Sequence, residues 1–271
     1  MEIKNPSKPE LRVLNYHGVQ VSETEYGWQE TELAYVLSAQ AFEDQLEAVL
    51  QTGLSVLSLT SLAAWLETPA PGARLMLTFD DGHISHPEHV APLLKKRGLP
   101  AVFFVSAARV GKPGFADWPA LRDMIRQGFD VGAHGDTHVP LPPLDDASLE
   151  RETSGARKKL EDGLGCRVSS FSIPRGYYST RTGRFLARAG YEFIFTSHFG
   201  VNRGKINPRY LKRMAVTRRH TEEEFRGWLA GDPGCRLWSE EIKERLRQFL
   251  GPRLYDRAAL IKAKAGRRER S

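Results

Sequence analysis

Cysteine is scarce in this chain of 271 residues: there are two, Cys166 and Cys235, far apart and in no Cys-x-x-Cys pair. That excludes a disulfide framework, and both read as structural thiols. No apolar run approaches the ~18 residues that a membrane-spanning helix needs. The first residues, "MEIKNPSKPELRVLNYHGV", lack the basic-then-apolar pattern of a signal peptide. The expected location is therefore cytoplasmic, with no membrane span. Internal repeats, low-complexity linkers and a clear domain boundary are also lacking. The net charge is +6, yet aromatic residues do not alternate with the basic ones as they do in single-strand binders, so no nucleic-acid partner is expected. Much of the positive charge sits in the last stretch, "IKAKAGRRERS" (261–271). It reads as a solvated tail capable of peripheral membrane contact only.

What remains is ordinary globular material, 41% hydrophobic and 27% charged, enough for a sizeable core. Short β-type runs alternate with helical periods. "LRVLNY" (11–16), "SVLSL" (55–59), "ARLMLTF" (73–79), "PAVFFVS" (100–106), "FDVGAH" (129–134), "VSSFSIP" (168–174), "YEFIFTS" (191–197) and "RYLKRMAV" (209–216) read as strands. Several are nearly continuous apolar runs, as in parallel sheets buried on both faces. Helical patterns fill the gaps: 38–53 with a Ser38 cap, 60–67 capped by Thr60, then 87–98, 118–128, 146–165 and 180–190. This alternation predicts an α/β fold, a distorted (β/α)7-type barrel forming a single domain. The expected boundaries are an N-terminal extension at 1–10, the barrel at 11–219, helices packed outside it at 220–260, and the basic tail at 261–271.

Functional groups of such barrels gather at the carboxyl ends of strands. Asp80 and Asp81 stand at the end of "ARLMLTF", His134 ends "FDVGAH" with His138 four residues on, and Pro174, Arg175 and Gly176 end "VSSFSI". His17 ends the first strand. Two adjacent carboxylates repel, and each is expected to raise the other's pKa. A divalent cation removes that cost: one carboxylate binds it while the other stays a base. Neutral imidazoles suit zinc and other first-row metals. Two histidines with one aspartate leave coordination positions open, the mark of a catalytic rather than a structural site.

"LTFDDG" together with "GAHGDTH" resembles the polysaccharide deacetylases of the NodB-homology type, carbohydrate esterases that hydrolyse N-acetyl or O-acetyl groups on sugars. "KKRGLPAVFFV" and "FSIPRGYYS" also resemble that family's segments, and the likeness runs from about 11 to 217. It implies Asp80 as general base and Asp81, His134 and His138 as ligands of a divalent metal, Zn²⁺ first, with Co²⁺ or Ni²⁺ as alternatives. It implies a groove wall at Pro174, Arg175 and Gly176, an oxyanion donor in the Arg175 backbone N–H, and a stacking face for sugar at Tyr177 and Tyr178. The implied substrate is an N-acetylated sugar of a polysaccharide or its precursor.

Two departures matter. Ser172 stands where the family places an arginine, and Arg175 where it places an aromatic residue; Arg213 in "YLKRMAV" is the candidate substitute for the lost arginine. No Leu-x-Leu-x-His motif supplies the usual acid. "LRVLNYHGV" resembles instead the first strand of a circularly permuted subgroup that includes deacetylases of poly-N-acetylglucosamine, which makes His17 the candidate acid. His83, His86 and His89 read as solvated residues of a helix start, and Asp136 as a turn residue or a support of the ligands. His198 is a further candidate for the groove. Two alternatives stand beside this reading: hydrolysis of another non-peptide C–N bond, and a barrel that binds glycan without turnover.

Overall fold

The computed structural model describes residues 6–22, 26, 28 and 32–234. The chain opens with β1 (Pro9–Tyr16) and β2 (Gly18–Gln20), and β3 (Val36–Ser38) pairs with β2 in parallel as a separate ribbon. α1 (Ala39–Gln51) follows, with the Ser38 hydroxyl accepting from Ala41 N at 3.2 Å, and it turns Phe42, Leu46 and Val49 into the core. α2 (Leu59–Glu67) starts one residue earlier than predicted. Its cap is Ser58, not Thr60, in a reciprocal arrangement with Ser61. That cap takes the Ser58 backbone N–H, so the run at 55–59 makes a single bridge, Val56 to Leu75, where the sequence suggests a strand.

From there expectation and structure agree closely. β4 (Gly72–Phe79) is followed by a π-helical turn (His86–Val90) that runs into α3 (Ala91–Lys96). β5 (Val102–Val105), α4 (Trp118–Arg126) and β6 (Asp130–Ala133) come next. α5 (Asp146–Glu150) continues through a second π turn (Arg151–Gly155) into α6 (Ala156–Leu164). β7 (Ser170–Ser172) leads to a 3-10 turn (Pro174–Gly176), then α7 (Thr180–Arg188), β8 (Phe193–Phe199), β9 (Asn202–Arg203), β10 (Leu211–Ala215) and α8 (Glu222–Leu229).

Seven strands form one parallel barrel in the order β1-β4-β5-β6-β7-β8-β10, and β10 returns to β1. The closing seam is short, with only Leu14↔Met214 and Asn15↔Ala215 in register. Below it the strands diverge, and the Asn202 side-chain amide spans the gap by donating to Leu11 O at 3.2 Å and Lys212 O at 3.0 Å. β9 lies antiparallel on the outside of β1.

Leu11, Val13, Met76, Val102, Phe104, Phe195 and Leu211 fill the barrel interior together with Leu59 and Leu62 of α2. α2 thus stops the amino-terminal end of the barrel with apolar side chains. A larger cluster lies between strands and helices. At the floor, buried Arg12 pairs with Glu10 and donates to Leu229 O, which ties β1 to the end of α8. The interior turns polar at the carboxyl end, where Asn15, Thr78, Asp80, Ser172 and Arg213 are all buried.

The first strand begins at Pro9, inside the expected 1–10 extension. α8 matches the helical pattern after residue 220, capped by Thr221 and Glu224. The second expected helix, "SEEIKERLRQFL", and the basic tail at 261–271 lie outside the described residues, as does Cys235. Among the described residues, no helix is long and apolar enough to cross a membrane.

Candidate active site

β4 delivers Asp80 and Asp81 at its carboxyl end, and the two carboxylates part at once. Asp80 points into the barrel. Arg213 of β10 grips it with two bonds, Nη1 to Oδ1 at 2.9 Å and Nη2 to Oδ2 at 2.8 Å. Arg213 is itself held on every side, donating to Asn15 Oδ1, Ser172 Oγ and Thr196 O at 2.8–2.9 Å. Burial alone would raise the Asp80 carboxyl, but Arg213, with His134 nearby, holds it well below the usual carboxylate range.

Asp81 turns the other way, toward the histidines. Its Oδ1 lies 3.0 Å from His138 Nε2 and 3.5 Å from His134 Nε2. Burial opposes its charge as well, but the hydrogen bond to His138 and the proximity of His134 keep it low. The expectation that the pair raise each other's pKa is therefore corrected. Each aspartate has its own positive or hydrogen-bonding partner, and these outweigh the repulsion between neighbours.

His134 ends β6, and its Nδ1 donates to Ser172 O at 2.8 Å. That bond leaves the Nε2 lone pair facing Asp81. Burial pushes the His134 imidazole down to about 4, so it is neutral near pH 7. His138 reaches the same point from a loop that Glu152 fastens. The Glu152 carboxylate is buried and accepts from the backbone N–H groups of Asp136 (2.8 Å) and Thr137 (3.0 Å) and from the Thr137 hydroxyl. Gly135 is needed at this turn: its φ is 74°, and a Cβ there would sit 2.8 Å from Glu152 Oε2. Asp136 is buried and pairs with Lys159 at 2.8 Å.

One ligand atom each from Asp81, His134 and His138 lie within 4.8 Å of one another. Two imidazole nitrogens and the Asp81 Oδ1 that faces both make a donor set that fits a divalent first-row cation.

Backbone strain concentrates here. Among the described residues, the non-glycine positions with positive φ are Asp81 (77°), His138 (65°) and Arg175 (56°). All three lie in the segments that follow barrel strands around this site, and such conformations cost on the order of 1 kcal/mol or more each. Arg175 is exposed, between buried Pro174 and Gly176. Gly176 lies so close to Ser197 that a Cβ would fall 2.1 Å from it. Tyr177 follows at the rim, half-buried, as is Tyr178, which packs edge-on to Tyr210.

His17 follows β1. Its carbonyl accepts from His86 Nε2 at 2.6 Å, its ring lies 4.8 Å from Tyr35, and it adds to the field on both aspartates. Its Nδ1 is buried with no hydrogen-bond partner among the described residues.

His83 and His86 are not solvated, contrary to the sequence reading. His83 stacks on Trp28 at 3.7 Å, and His86 packs edge-on to Phe79 beneath His17. The π turn at 86–90 swings this segment inward, which a regular helical start does not do. His198 bonds to the Tyr210 hydroxyl at 2.7 Å. Sequence reasoning missed Asn15 and Glu152. Asn15 was within reach, because alternation from Leu11 and Val13 places it inside the barrel. Glu152 sits in a helix with no motif to mark it.

The family model for polysaccharide deacetylases matches residues 67–194, which hold both aspartates and both candidate ligand histidines. Over that stretch the chain matches a polysaccharide deacetylase domain. The NodB-type barrel is confirmed by the solved structure of IcaB from Ammonifex degensii, at 26% identity and a TM-score of 0.70, covering 84% of this chain and 100% of that one. YxkH of Bacillus subtilis, named as a polysaccharide deacetylase, is 24% identical over 47% of this chain and 46% of its own length. A chitin deacetylase of Pestalotiopsis sp is 30% identical over 38% of this chain and 34% of its own. The chain thus spans under half the length of these curated relatives.

Proposed function

We propose that this protein is a metal-dependent amide hydrolase that removes acetyl from an N-acetylated sugar of a polysaccharide or its precursor. One observation carries the reading: adjacent aspartates are divided between an arginine on one side and two histidines on the other. Asp81, His134 and His138 would hold the metal, with zinc the best fit to two imidazoles and a carboxylate. When bound, such an ion acidifies a water and polarises a carbonyl.

The rest falls to the chain's own groups. Asp80 is ionised throughout the working range and takes the proton from the attacking water. Arg213 keeps that carboxylate charged and fixed, in the role that the missing arginine at Ser172 would have had. The backbone N–H of Arg175, in the strained turn at the end of β7, donates to the oxygen that becomes negative as the tetrahedral centre forms. His17 gives a proton to the departing amine, so the bond to acetyl breaks with a neutral leaving group. Pro174, Gly176 and Tyr177 form the wall against which the sugar lies. A chitin deacetylase among the relatives supports the choice of an N-acetylated glycan.

The test is acetate release from a set of N-acetyl sugars and their oligomers, with added Zn²⁺ and after chelation. Turnover is expected with zinc and none after chelation. Asp80→Asn should lower turnover by about 10²–10⁴-fold while still binding zinc, and His17→Ala should be similarly impaired. Near-normal turnover in Asp80→Asn removes the base assignment, and an active zinc-free preparation favours a different C–N hydrolysis. Binding of glycan without turnover favours the non-catalytic alternative.

A further inference from the structure

Asn15 stands where the barrel closes. It is the penultimate residue of β1, 3% exposed, in register with Thr78 on one side and Ala215 on the other. Its carbonyl accepts from Val216 N at 2.8 Å, so its main chain already completes the seam. Any inward-facing residue could do that much. The side chain does something else: it spans the ion pair. Its Oδ1 accepts from Arg213 Nη1 at 2.9 Å, and its Nδ2 donates to Asp80 Oδ2 at 3.3 Å.

A two-point arginine–carboxylate pair fixes distance but leaves the two planes free to pivot about their common axis. An amide that accepts from one partner and donates to the other removes that freedom. It also makes the two oxygens of Asp80 unequal. Oδ2 takes bonds from Arg213 Nη2 and Asn15 Nδ2, whereas Oδ1 takes one, from Arg213 Nη1. A carboxylate oxygen accepts about two hydrogen bonds. Oδ2 is therefore filled and Oδ1 keeps a free direction.

We propose that Asn15 is a positioning residue that selects Asp80 Oδ1 as the proton-accepting oxygen and holds it toward the reaction site. This rests on Asp80 acting as the base. The sequence order suits the role, because the strand that carries Asn15 ends at Tyr16 and His17 follows it directly. One strand then registers the base and delivers the candidate acid.

The experiment uses the full chain and the N-acetyl sugar that the wild type turns over best. Asn15→Leu removes both bonds at similar volume. Asn15→Asp keeps the shape but loses the donor to Asp80. Both are expected to lower kcat by about 10–100-fold, with KM within about twofold, as misplacement of a reacting group does. Zinc content and the thermal transition should stay at wild-type values for at least Asn15→Asp. A crystal structure of either variant should show the Asp80 carboxylate turned about its contact with Arg213.

Wild-type kcat in a folded variant overturns the proposal, and so does a loss of turnover matched by an equal loss of bound zinc. If Asp80→Asn keeps its activity, the functional reading fails instead. If the wild type turns over no N-acetyl sugar, that reading fails too, and an unmoved carboxylate in the variant structure then overturns the positioning role on its own.

Discussion

Asp80 and Asp81 share a peptide bond and almost nothing else. One is sealed inside the barrel against a guanidinium, and the other looks out at two imidazoles. At this scale, burial of histidine has a consequence that can be measured. Burial holds His86 down at about 4 and His83 at about 3. In the unfolded chain each takes up a proton near pH 6.5. Between those values the unfolded state binds more protons than the folded one, so stability falls as pH drops from about 6.5 toward 4. Each histidine contributes at most about 1.4 kcal/mol per pH unit within that window. Denaturant unfolding of the chelated protein at pH 7 and pH 5 should show the loss. His86→Gln should flatten the dependence, and an unchanged slope in that variant would assign the acid sensitivity to other groups.

At the scale of elements, the site is an assembly of strand ends, each corrected by a neighbour. β6 presents His134, but the orientation of the ring comes from the Ser172 carbonyl of β7. The loop after β6 presents His138, but its shape comes from Glu152 in the π turn between α5 and α6. Glu152→Ala should therefore weaken zinc binding by about 10–100-fold without touching a ligand. It should also destabilise the fold by about 1–3 kcal/mol, because two backbone N–H groups lose their acceptor. Competition with a chromophoric chelator reads the first effect, and wild-type zinc affinity in a folded variant would contradict it.

The strand and helix order was legible because apolar runs and helical periods alternate cleanly from β4 to β10. The Asp-Asp and His-x-x-x-His spacings marked the candidate ligands. The Ser58 cap was not legible, because Ser58, Thr60 and Ser61 offer three similar hydroxyls within four residues. The inward swing of His83 and His86 was equally hidden, since it depends on a π turn that no residue pattern announces. Ser172 and Arg213 illustrate a third kind of limit. Their exchange of roles across the barrel depends on β7 and β10 both facing Asp80, which is a tertiary fact.

The described residues form a barrel stopped with apolar side chains at one end and polar at the other. The three candidate ligands come from two strand ends and a loop, so they meet only in the folded state. A metal that binds there should stabilise the fold by mass action, by about 2.7 kcal/mol at a free concentration of 100 times Kd. A rise in melting temperature with added zinc, abolished in His134→Ala, checks this. No shift at saturating zinc would contradict the ligand set.

The short seam between β1 and β10 imposes an order in time. Asp81, His134 and His138 all precede residue 139 in the chain, whereas Arg213 arrives with the last barrel strand. The candidate ligands are thus synthesised well before the counter-charge of Asp80. Until β10 docks against β1, Asp80 lacks its guanidinium partner, and its capture by Arg213 rewards that step of closure. Closing the barrel and locking the charge of Asp80 are then one event.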